Sequence, residues 1–152
     1  MPAYQNLWPG ANPVTVRASA ALPAAGAYDA APTEFPTANI DNITLYATYT
    51  RGNAGGAVTL HIEQSPYSAD VVGVQSWFRT ACVACGTISS GSDTTQNAQR
   101  ANVVYGATGA GAENFVIGPL ELYGTVERMR VACAESGQTG TPGTCHIVAV
   151  MV

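Results

Sequence analysis

Four cysteines are the residues with most chemistry on offer: Cys82, Cys85, Cys133 and Cys145. The first two form a Cys-x-x-Cys pair. The second two are separated by eleven residues, with His146 beside Cys145. A redox motif needs one thiol at a helix N-terminus, where the local field lowers its pKa. The residues after Cys85 are Gly-Thr-Ile-Ser-Ser-Gly, which start no helix. A structural zinc site wants compact pairs on both sides, and the second pair is too widely spaced for that. Disulfides fit better. Cys133 would close one strand and Cys145 open the next, at the neck of a hairpin. A bridge there closes a loop of about 13 residues and contributes ~3 kcal/mol. Cys82 and Cys85 pair with each other, or each crosses to the second pair, or the bridges link subunits. Sequence does not choose among these connectivities. Four buried free thiols are the plain alternative.

General acid–base chemistry has little to work with. There are two histidines, His61 and His146, and ten acids that are scattered singly. His61 falls on the polar face of an alternating run, and both histidines read as surface or packing residues. No Gly-x-Ser-x-Gly elbow, phosphate-binding glycine loop or His-Glu-x-x-His pair occurs. The sequence therefore nominates no catalytic residue, no cofactor-binding residue and no metal ligand. The expectation is a protein without enzymatic activity.

The elements that would carry these residues are strands. Residues 43–50 (ITLYATYT) alternate strictly, with Ile43, Leu45, Ala47 and Tyr49 on one face and Thr44, Tyr46, Thr48 and Thr50 on the other. Residues 57–64 (AVTLHIEQ) repeat the pattern, with Val58, Leu60 and Ile62 inside and Thr59, His61 and Glu63 outside. The Gly-rich run 51–56 between them predicts a β-hairpin. Further strands are expected at 14–18, 74–81, 101–106, 113–118, 124–134 and 145–152. The last, CHIVAVMV, is almost continuously apolar and so belongs in the middle of a sheet. Prolines 23, 32 and 36 exclude a helix from 20–36, leaving a long connection with a short edge strand near 26–29. Residues 89–100 read as the longest loop and 135–144 as a turn region. About eight strands and no helix predict an all-β chain. It would be a single antiparallel β-sandwich or jelly-roll-like domain over 14–152, preceded by an extended N-terminal arm over 1–13.

Composition narrows the function. The chain has 152 residues, the length of one domain. Six Arg, no Lys and ten acids give a net charge of -4, so there is no basic footprint for nucleic acid and no polybasic membrane patch. No apolar run approaches the length of a transmembrane helix. Charged residues are only 11% of the chain, which suits surfaces buried in an assembly. Sheet edges without lysine are an aggregation hazard, so loops or neighbours are expected to cover them. The opening MPAYQNLWPG has no basic region and no apolar stretch, so it does not read as a signal peptide. Either the thiols stay reduced in a cytosol, or an export signal was removed, or the protein leaves the cell without one; the last suits a particle assembled in a cytoplasm and released by lysis.

Residues 20–66 (AALPAAGAYDAAPTEFPTANIDNITLYATYTRGNAGGAVTLHIEQSP) resemble the small β-sandwich proteins that decorate or cement the capsids of tailed bacteriophages. The likeness covers about a third of the chain and is one of texture, without a diagnostic motif. It implies a non-enzymatic virion protein, often trimeric, on the outer capsid surface. Its partners would be the major capsid protein and copies of itself, most simply as a homotrimer. In that reading Tyr4, Leu7 and Trp8 dock the arm, and Arg51 and Arg79 are interface anchors, since Arg and Trp are favoured at hot spots. Two other uses compete. One is a carbohydrate-binding or adhesin module using Trp77, Tyr46 and Tyr67. The other is a subunit of a phage tail or an extracellular filament.

Overall fold

The structure, a computed structural model, describes residues 12–80, 103–122 and 126–152. The described residues form nine strands: β1 (Asn12–Ala21), β2 (Glu34–Pro36), β3 (Asn42–Thr50), β4 (Ala57–Ser65), β5 (Phe78–Arg79), β6 (Val103–Gly106), β7 (Glu113–Glu121), β8 (Arg128–Ser136) and β9 (Thr144–Met151). One 3-10 turn, Ala24–Gly26, is the only helical piece among them. Tyr4, Leu7, Trp8, Cys82, Cys85 and the loop expected at 89–100 lie outside the described residues, as does most of the arm.

Two antiparallel sheets pack face to face, so the all-β sandwich expected from the alternation is the fold. The first sheet runs β1-β9-β3-β7. The second runs β2-β8-β4, and both β5 and β6 pair with the free edge of β4. The period-two residues fill the space between. Ile43, Leu45, Ala47 and Tyr49 of β3 meet Val58, Leu60 and Ile62 of β4, with Ile147 and Ala149 of β9 and Met129 and Val131 of β8. Burying side chains such as Leu60 or Ile147 fully contributes ~1.5–3 kcal/mol each. As expected, β9 is an interior strand.

Both hairpins expected from the sequence are corrected. β3 and β4 lie in different sheets, and so do β8 and β9. Residues 51–56 and 137–143 therefore arch between the sheets. Residues 107–112, linking β6 to β7, make a third arch. All three lie at one end of the sandwich, because Ala57 pairs with both Gly106 and Ser136 while Thr50 pairs with Thr144 and Tyr49 with Glu113. Alternation tells a strand which face to bury, and that face is buried equally well in either sheet.

Three smaller expectations are also corrected. The short strand of the 20–36 connection is Glu34–Pro36, paired with β8, not 26–29. Among the described residues, the strand expected at 74–81 reduces to Phe78–Arg79. The preceding stretch turns at Gly73 (φ +76°) and leaves Val72 fully exposed. His61 does face outward from β4, yet it is buried at 6% exposure, because the ring of Tyr28 packs on it at 4.3 Å.

The sheet edges are blunted within the chain. β1 carries two register irregularities, and β7 contains Pro119 after a cis peptide bond. β2 has three residues and ends in Pro36, and β5 has two. Bulges, prolines and short strands limit edge pairing without lysine.

Candidate functional site

The polar side chains are assembled first into three clusters. The most enclosed is Glu135, at the end of β8 and 0% exposed. Its carboxylate accepts hydrogen bonds from Tyr49 Oη at 2.5 Å, Gly52 N at 3.1 Å and Gly143 N at 2.7 Å. Burial opposes its ionisation, but the bonds from Gly143, Tyr49 and Gly52 outweigh burial and hold the carboxyl below its ordinary value. Burial first, then Glu135, pushes the Tyr49 phenol up. Glu113 does similar work at the third arch, accepting from Gly109 N (2.6 Å), Thr108 N (2.9 Å) and Tyr105 Oη (2.8 Å). These two acids satisfy backbone N–H groups of the arches. Sequence reading placed Glu135 in a turn region and missed this role.

The second cluster lies on the outward side of the second sheet. Arg128 holds Glu34 at 2.5 Å and Asp70 at 2.7 Å, and Arg130 holds Glu63. The two guanidinium carbons sit 4.8 and 4.2 Å from the Trp77 ring centroid. His61 Nε2 lies 3.9 Å from Glu63 Oε1. Burial, then Arg79, lowers the His61 pKa, so its imidazole is neutral near pH 7. His146 is on the outer face of the other sheet, in register with Thr48, so the sandwich separates the two histidines. Among the described residues no three His, Cys, Asp or Glu side chains gather as metal ligands.

The third cluster contains two of the cysteines. Cys133 of β8 and Cys145 of β9 are both buried and both free thiols. They come from opposite sheets, and their side chains lie near each other in the core without a bond between them. The expected bridge at a hairpin neck is therefore corrected to an unbonded thiol pair spanning the core. One ion pair grips both backbones. Arg17 binds both oxygens of Asp29, Nε to Oδ2 at 2.9 Å and Nη2 to Oδ1 at 3.0 Å. Arg17 Nη1 donates to the Cys145 carbonyl at 2.5 Å. Asp29 Oδ2 accepts from the Cys133 amide at 3.0 Å, and the Asp29 amide donates to the Cys133 carbonyl at 3.0 Å. Replacing Arg17 by Ala leaves Asp29 partly buried without its cation. We expect a loss of about 2 kcal/mol, read from urea unfolding midpoints at unchanged slope.

The two anchors among the described residues, Arg51 and Arg79, do not converge. Arg51 is half-buried in the first arch and donates to the Ala107 carbonyl at 3.2 Å, tying two arches together. Arg79 is exposed on β5, opposite Glu63 near the far end of β4. Trp77 is engaged by two arginines, leaving Tyr46 as the most exposed of the three aromatics named for ligand stacking.

What remains open is the outer face of the first sheet. Val116, Tyr46, Val148 and Thr15 form one row across all four strands. Thr44, Val150 and Pro13 form the row on one side of it, and Asn114, Thr48 and His146 the row on the other. Tyr46 is 49% and Val116 46% exposed. These three rows contain no acid and no arginine. Interface cores are depleted in charge in this way, while ordinary solvent-facing sheets are not. No protein-family model, no curated protein and no solved structure matches this chain.

Proposed function

We propose that the chain is a non-enzymatic structural protein of a virion: a capsid decoration protein that binds the outer capsid surface and stabilises the shell. The uncharged face centred on Tyr46 carries this reading. It is a face of Thr, Val and Tyr on a hydrogen-bonded sheet, needing little ordering on binding. The polar groups that acid–base chemistry would require are engaged elsewhere, Glu135 and Glu113 on the arches and His61 under Tyr28. The major capsid protein is the partner, and copies of this chain associate around it as a homotrimer. Binding across capsomer junctions raises shell stability by linkage, since only the intact shell offers the site.

The test is cosedimentation with emptied capsids of the cognate tailed bacteriophage, beside light scattering of the free chain on a sizing column. Saturable binding and a higher disassembly temperature are expected. Tyr46→Asp places a charge in the centre of the face. It should weaken binding at least ~10-fold while shifting the chain's own stability by no more than about 0.5 kcal/mol. Absence of binding, or equal binding by the variant, overturns the proposal. A monomer that instead retains a glycan on an array assigns the same sandwich to carbohydrate recognition, and open-ended polymers assign it to a tail or filament.

A further inference from the structure

We propose that Cys133 and Cys145 are a specific oxidation site, and that an oxidising environment joins their Sγ atoms into a single disulfide stapling the two sheets together. This inference is independent of the virion reading. Three observations carry it. Both side chains are buried in the core and enter it from opposite sheets, near each other. The Arg17–Asp29 pair bonds the backbone of both residues, so their separation is set by five hydrogen bonds rather than by side-chain packing alone. Arg17 donates to the Cys145 carbonyl, so a cation stands beside Cys145 and favours it as the attacking thiolate. The Asp29 carboxylate binds the Cys133 amide, so the opposite charge stands beside Cys133.

The oxidant is a small disulfide such as oxidised glutathione. The Cys145 thiolate attacks one sulfur of it, its S–S bond breaks, and one glutathione leaves as a thiolate. Cys133 then loses its proton and attacks Cys145 Sγ, forming the internal bond and releasing the second glutathione. Two protein thiols are oxidised and one disulfide is reduced to two thiols. Because both sulfurs are buried, the reaction proceeds during folding or through opening of the sheets.

The full chain can report on itself. Arg79, Arg100 and Arg130 place Cys82 and Cys85 in one tryptic fragment, 80–100, and Cys133 and Cys145 in another, 131–152. The protein is refolded in a buffer of reduced and oxidised glutathione, alkylated under denaturing conditions and digested. Fragment 131–152 is expected to lack both alkyl groups and to weigh two hydrogens less than its dithiol. A thiol reductant should restore both alkylation sites and lower Tm by about 10 °C. A fragment 131–152 carrying two alkyl groups after oxidative refolding overturns the proposal. So does a cross-link between 80–100 and 131–152, which would show that the partners are chosen differently.

Discussion

Glu135→Ala is expected to destabilise the fold by about 4 kcal/mol, more than half of the stability of many domains. The carboxylate is fully buried, and its removal strands three donors at once: Tyr49 Oη, Gly52 N and Gly143 N. Each buried donor left without a partner costs about 1–3 kcal/mol, and the three share one cavity, so the costs do not add fully. Glu135→Gln keeps the volume and one acceptor oxygen, so it should recover about half of the loss. Tyr49→Phe removes a single bond to a charged group and should cost about 2 kcal/mol. Equilibrium urea unfolding at pH 7 separates the three variants. A Glu135→Ala midpoint equal to wild type would show that the arches do not depend on the acid.

The same residue sets an acid limit on stability. Its folded pKa lies below the ordinary value, so its contribution is complete above the unfolded pKa, ~4.3 for glutamate. It is lost as pH falls through the lower folded value. Wild-type stability should therefore decline steeply below about pH 4. Glu135→Gln has nothing to titrate at this position and should show a shallower decline in the same window. Parallel declines would place the acid sensitivity in other carboxylates.

How these features relate to the sequence depends on what alternation can encode. β3 was legible to the residue, because Ile43, Leu45, Ala47 and Tyr49 bury one face and nothing interrupts the period. The destination of the next strand was not legible. An arch and a hairpin need similar glycines, and a strand's buried face is satisfied in either sheet. The role of Glu135 was half-written. Counting by two from Met129 through Val131 and Cys133 lands on it and places it inward. Its charge and its Ser-Gly-Gln neighbours argued for solvent instead. His61 failed the opposite way. The count placed it outward correctly, but its cover comes from Tyr28, in a proline-rich connection with no period to read. The apolar run of β9 was read as a strand in the middle of a sheet. It is central, yet Val148 and Val150 are only half-buried. That surplus of apolar surface is the signal in the sequence closest to the proposed docking face.

Gly52→Ala is the second large effect expected, a loss of about 3 kcal/mol. The first and last arches lie backbone against backbone. Asn53 Nδ2 donates to the Gly137 carbonyl at 2.7 Å, and Thr139 N donates to Asn53 Oδ1 at 3.2 Å. A Cβ on Gly52 would stand 1.9 Å from the Thr141 carbonyl oxygen and 2.7 Å from Gly143 N. These are main-chain atoms, so no side chain can rotate away to make room. The arches must separate, and separation pulls Gly52 N and Gly143 N from Glu135, which couples this substitution to the loss argued above. Gly140→Ala is the matched control. It lies in the facing arch, 137–143, with no atom within 4 Å of its added Cβ, and it should change stability by no more than about 0.5 kcal/mol. The double variant Gly52→Ala/Glu135→Ala should cost clearly less than the sum of the two single changes, because both break the same contacts. Full additivity in urea unfolding would mean that the arches are held by something other than the carboxylate between them.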